Sequence, residues 1–186
     1  MSRARFIEFL EGAILGLPQH LKAALRLVDD PDIPDEGRLA VAGVLLHWMS
    51  GTNTIPGVRG GTLSLVDDVL LLRLAYERVE QVAPEVMAQH REDSPELFGN
   101  LADELETLRG YLGEGIQVLE TAMSKIGLLK HQGLTSRQCV DDPEAGTALY
   151  EEVQAALVDL DLEEDEVARD LKKIDPIVTS LKQRAR

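Results

Sequence analysis

The sequence predicts an all-α protein: a compact N-terminal helical domain built on a buried helical hairpin, followed by a long antiparallel, coiled-coil-like α-hairpin. Three observations carry that prediction. Every periodic apolar pattern has a helical period, and no Val/Ile/Thr run alternates with polar residues long enough to read as a strand. Two internal stretches are apolar on nearly all sides, as central helices are. The C-terminal half carries two apolar series whose members are separated by threes and fours.

The elements follow in order. Phe6, Phe9/Leu10, Ala13/Ile14 and Leu17 have helical spacing, so a first amphipathic helix runs from about Arg3 to Gly16. Pro18 suits the first turn of a second helix, which ends before Asp29-Asp30-Pro31. A turn over Asp32–Glu36 leads into a third helix near Arg38–Met49, apolar almost all round. A glycine-rich loop, Gly51–Gly61, precedes a fourth helix over about Ser64–Val82, and Pro84 and Pro95 bracket a short helical connector. These elements give a domain over residues 1–92.

Residues 93–186 read as the long hairpin. Leu97 to Ile126 form its first apolar series, and Val153 to Leu181 form a heptad seam with Glu164 as its polar member. The loop between them spans about residues 132–143. A turn near Cys139 sets Glu164 opposite Glu114, beside Gly113 and Gly115. Glycine costs a helix interior about 1 kcal/mol relative to alanine, so that cluster asks for a reason. Either Glu164 specifies register against a glycine groove, or it belongs to a small acidic pocket with Glu114 and Asp161.

Composition narrows the functions. The chain has 186 residues, 33 acidic against 19 basic, and a formal charge of −14. That balance argues against a nucleic-acid partner, because phosphate contacts need clustered Lys and Arg. One cysteine, Cys139, excludes an intramolecular disulfide and a Cys-rich zinc site. The longest uncharged run ends in turn chemistry, so no transmembrane segment is expected, and the reading is a soluble, cytoplasmic protein.

The loop before the fourth helix lacks a phosphate-binding lysine, and Asp67 and Asp68 in the first turn would repel an anion. Ser64-x-x-Asp67 fits a capping box. Asp68, beside Val69–Leu72, asks for a basic partner such as Arg38, Arg59 or Arg73, or for a cation. Leu39–Ser50, then Thr54-Ile55-Pro56-Gly57, then Leu65-Val66-Asp67-Asp68-Val69-Leu70 resembles the YkvA-like domain, a family of unknown function. The resemblance covers about residues 38–75 and implies a small all-helical hairpin core without an established reaction. Gly51, Asn53 and Gly57 stand where the family turn carries proline and acids.

His20, His47, His90 and His131 show no metal-ligand spacing, and His47 reads as a hydrogen-bonded core residue. Cys139, in the expected loop, reads as an ordinary thiol. The run Asp159–Glu166 lacks the glycine of a calcium loop and reads as a solvated helix face.

No catalytic constellation is legible. The first reading is therefore a non-enzymatic interaction or scaffold protein that binds another protein or a second copy of itself through the hairpin. A second is a cation-dependent protein or hydrolase using Asp67 and Asp68, with Asp32 and Asp35 as further oxygens; a divalent cation is the one cofactor in view. A third is a peripheral membrane protein docked through residues 1–17.

Overall fold

The computed structural model describes residues 2–55, 58 and 60–185. It is all-α. The helices are α1 (Arg3–Leu15), α2 (Leu17–Asp29), α3 (Asp35–Ser50), α4 (Val66–Val82), α5 (Pro84–Asp93), α6 (Pro95–Phe98), α7 (Leu101–Leu112), α8 (Ile116–Ile126), α9 (Ser136–Asp141), α10 (Pro143–Val158), α11 (Glu164–Leu171) and α12 (Asp175–Arg184).

α4 is the central helix. Every residue from Val66 to Tyr76 is buried, whatever its chemistry. α3 lies antiparallel to it: Gly37, near the start of α3, packs beside Val79 and Val82 at the end of α4, while His47 reaches Asp67 at the start. α2, α8 and α9 cover α3, and α1, α7 and α8 cover α4. A glycine permits the closest of these approaches. A Cβ on Gly43 would sit 2.8 Å from the Ile126 carbonyl oxygen, so only glycine lets the end of α8 abut α3 here.

The four N-terminal helices lie where the apolar spacing puts them. α3 stops where Gly51 takes φ +62° and returns its N–H to the Trp48 carbonyl, a left-handed cap that glycine reaches without a Cβ clash. α1 turns Phe6, Leu10, Ala13 and Ile14 into the core, and the Phe6 ring stacks on Tyr111 at 4.4 Å. The face that would have entered a lipid surface is thus spent inside the protein. Among the described residues no helix is long and apolar enough to cross a membrane.

The C-terminal half is helical but does not form the long hairpin. Its first helix breaks at Gly113–Gly115, a 3₁₀ turn with Gly113 at φ +55°, giving α7 and α8. Its second breaks twice, at residues 159–163 and again before α12, which carries Pro176 in its first turn. A proline has no N–H to donate to the preceding turn of a continuous helix, and the crowded acids of Asp159–Glu166 repel one another along it. The seam residues Val153, Val167, Leu171, Ile174, Val178 and Leu181 are buried, but by other partners. α10 packs on α9, α2 and α3; α11 packs on α1 and on the Thr62–Leu65 turn; α12 returns to α7 and α8.

The expected loop over 132–143 contains structure of its own. Lys130–His131 (β1) pairs antiparallel with Leu134–Thr135 (β2) across Gln132 and Gly133, both at positive φ, as a two-residue hairpin turn requires. α9 then opens on a capping box between Thr135 and Gln138. Met87 and Phe98, on either side of residues 92–93, belong to one buried cluster that runs from Phe6 to Leu181.

Candidate metal centre

The antiparallel turn from α3 to α4 brings the last turn of one helix against the first turn of the other. His47 thereby meets Asp67 and Asp68, and one ligand atom from each of the three lies within 4.8 Å of the others. Nε2 of His47 is 3.1 Å from Asp67 Oδ2 and 3.8 Å from Asp68 Oδ1. All three residues are buried, Asp67 completely. The Thr54 backbone N–H donates to Asp67 Oδ2 at 2.6 Å, pinning the loop to the acid.

Three hydroxyl contacts orient the imidazole. Ser50 Oγ donates to the His47 carbonyl at 2.7 Å, Ser50 Oγ lies 2.7 Å from Thr52 Oγ1, and Thr52 Oγ1 lies 3.3 Å from His47 Nδ1. Ser50 spends its only hydroxyl proton on the carbonyl, so Thr52 must donate to Ser50. The proton between Thr52 and the ring then belongs to Nδ1. Nε2 is left facing two carboxylates, and either a proton or a metal ion must stand between them.

The acids are poorly satisfied. Among the described residues, Asp67 Oδ1 and Asp68 Oδ1 are buried without a hydrogen-bond partner. Burial, and then the charge of Asp67, push the Asp68 carboxyl well above the usual carboxylate range. An uncompensated buried carboxylate costs on the order of several kcal/mol, so the pair favours a proton or a cation beside it.

A sign follows for the metal-free protein. Above the ordinary carboxylate value of 3.8 the unfolded chain has lost the Asp68 proton while the native state still holds it. The stability due to that proton is complete below this value and is lost as pH rises through the raised native one. Asp68→Asn is therefore expected to match the wild type near pH 4 and to gain on it as pH rises. Thermal unfolding of chelator-treated proteins at pH 4, 6 and 8 reads the difference, at about 2–4 °C per kcal/mol in a chain of this size.

Other expected sites fall apart. Ser64 Oγ donates to the Gly61 carbonyl, and Asp67 turns to His47 and Thr54, so no capping box forms. Arg38 bonds the Val28 and Val140 carbonyls, and Arg73 bonds Glu104; Arg59 lies outside the described residues. Asp35 pairs with Arg137 at the other end of α3, about 18 Å away at 1.5 Å per residue, and Asp32 lies in the exposed turn before it. Glu164 and Glu114 are exposed and do not meet, because α11 turns to α1. Gly115 faces Leu181 and Lys182 of α12, where a Cβ would come within 3.2 Å. Gly113 is exposed and serves the helix break. Cys139 is buried in α9, its thiol pushed up to about 11 by burial and then by Glu152.

A second polar cluster was not legible in the sequence. Arg73, 1% exposed, donates from Nε to Glu104 at 2.7 Å and lies 3.1 Å from His20 Nε2. Burial and then the Arg73 charge push His20 down to about 3, so its neutral Nε2 accepts from the guanidinium. Tyr76 closes the cluster by donating its hydroxyl to the His20 carbonyl at 2.7 Å.

Compared with known proteins, the chain matches no family model, and no curated protein or solved structure shows significant similarity to it.

Proposed function

We propose that the protein binds a divalent transition-metal ion through His47 Nε2 and the carboxylates of Asp67 and Asp68. The observation that carries this reading is the pair of buried carboxylate oxygens that have no partner among the described residues, set around an imidazole nitrogen whose other side is held by Thr52. Ligands of a tetrahedral ion with bonds of about 2.0–2.2 Å lie about 3.4 Å apart, close to the 3.1 and 3.8 Å separations of Nε2 from the two acids. A mixed imidazole and carboxylate set favours zinc, manganese or iron(II) over calcium and magnesium, which prefer all-oxygen shells.

Three protein ligands leave a coordination position for water or substrate, the arrangement of catalytic rather than structural sites. Metal uptake displaces the proton on Asp68, so affinity falls as pH is lowered. The YkvA-like resemblance adds that the same acid pair opens the second apolar helix. An interaction role instead rests on exposed Leu128, Tyr150 and Val158, because the seam that first suggested it is consumed within the chain.

Isothermal titration of chelator-stripped protein tests the metal reading. Zinc or manganese is expected to bind saturably, more tightly than magnesium or calcium, and Asp67→Asn and His47→Ala to weaken binding at least tenfold. Equal binding by wild type and both variants would dismiss the site.

A further inference from the structure

A cavity of about 440 Å³ opens between the loop at Thr54, the outer face of α8 and the end of α12. Its described lining includes Lys125 and Arg184 with the polar side chains of Gln117 and Thr121, and it contains no carboxylate. In a chain of charge −14 an acid-free wall with two cations is a marked local reversal. Among the described residues the ion pairs of this protein involve neither cation. Val118 adds an apolar part to the same wall. Thr54 connects the cavity to the metal centre: it lines the cavity, and its backbone N–H bonds Asp67.

The geometry points to a binding site for a phosphomonoester, with the phosphoryl group at Lys125 and Arg184 and the organic part against Val118. The donors available there are a guanidinium, an ammonium, two threonine hydroxyls and an amide, a set that suits a doubly charged group with several acceptor oxygens. The cavity is far larger than one phosphate, so space remains for the ester body. Placed there, the ligand lies across Thr54 from His47, Asp67 and Asp68, and the site supplies a substrate class to the proposed metal centre. It rests on that reading for its role and not for its binding.

Phenyl phosphate is the probe, titrated into the full chain in chelator and followed by ³¹P NMR. Saturable binding is expected, competed by inorganic phosphate and weakened about tenfold by Lys125→Gln and by Arg184→Gln, the loss of one charge-assisted contact each. Lys182→Gln is the control, because Lys182 sits over the Tyr111 ring at 5.5 Å and does not line the cavity. Its affinity is expected to equal that of the wild type. Asp67→Asn is expected to keep phenyl phosphate binding while losing metal, which separates this site from the metal reading. Absence of saturable binding, or equal weakening by the Lys182 and Lys125 variants, would overturn the assignment.

Discussion

Chelator-stripped protein is expected to gain about 5–10 °C in Tm when zinc or manganese is supplied at a hundred times its Kd. A ligand bound only by the native state contributes about 2.7 kcal/mol at that excess, and a chain of this size moves about 2–4 °C per kcal/mol. The stabilisation arises at one place. Among the described residues Asp67 and Asp68 are buried with unpartnered oxygens, and a bound ion would supply positive charge beside them. Asp67→Asn preserves an acceptor for the Thr54 N–H, so that variant is expected to fold and, with binding weakened at least tenfold, to show no more than about half of the gain at the same metal concentration. Differential scanning fluorimetry with and without metal reads both. A gain of the same size in Asp67→Asn would place the bound ion elsewhere.

Glu104→Ala is expected to cost more stability than Arg73→Met, although both break one ion pair. Arg73 is almost wholly buried, whereas the Glu104 side chain is 22% exposed. Removing the acid strands a guanidinium in the core, a loss of about 3–5 kcal/mol. Removing the base leaves a carboxylate that water can reach and a methionine that fills the same space. The remaining cost is that of an unpaired His20 Nε2, about 1–3 kcal/mol. Adding Arg73→Met to Glu104→Ala is expected to recover part of the loss, since no charge is then stranded. Urea unfolding midpoints of the three variants decide the order, and a larger loss for Arg73→Met alone would contradict it.

The helical class was legible because apolar spacing is a local property: Phe6, Leu10 and Ile14 mark a face wherever that face later packs. The expected hairpin failed because heptad spacing says that a face is apolar and not what covers it. Leu181 meets Gly115, while Val167 and Leu171 belong to a helix packed on α1, a choice made by tertiary contacts. Pro176 was the local signal against a continuous seam. At the His47–Asp67–Asp68 cluster the two acids stood out as charges opening an apolar helix. His47 did not, because its partners lie 20 and 21 positions away and only the antiparallel α3–α4 pairing brings them together. The signal lay in the facing ends of that expected hairpin rather than in any short spacing. The His20–Arg73–Glu104 cluster joins three separate helices and had no local signal at all.

Equilibrium dialysis against zinc, followed by elemental analysis of wild type and of the Asp67→Asn/Asp68→Asn double variant, tests the metal centre most directly. One ion per chain in the wild type and none in the double variant is the predicted result. Wild-type protein that retains no ion, or a double variant that retains as much, would contradict it.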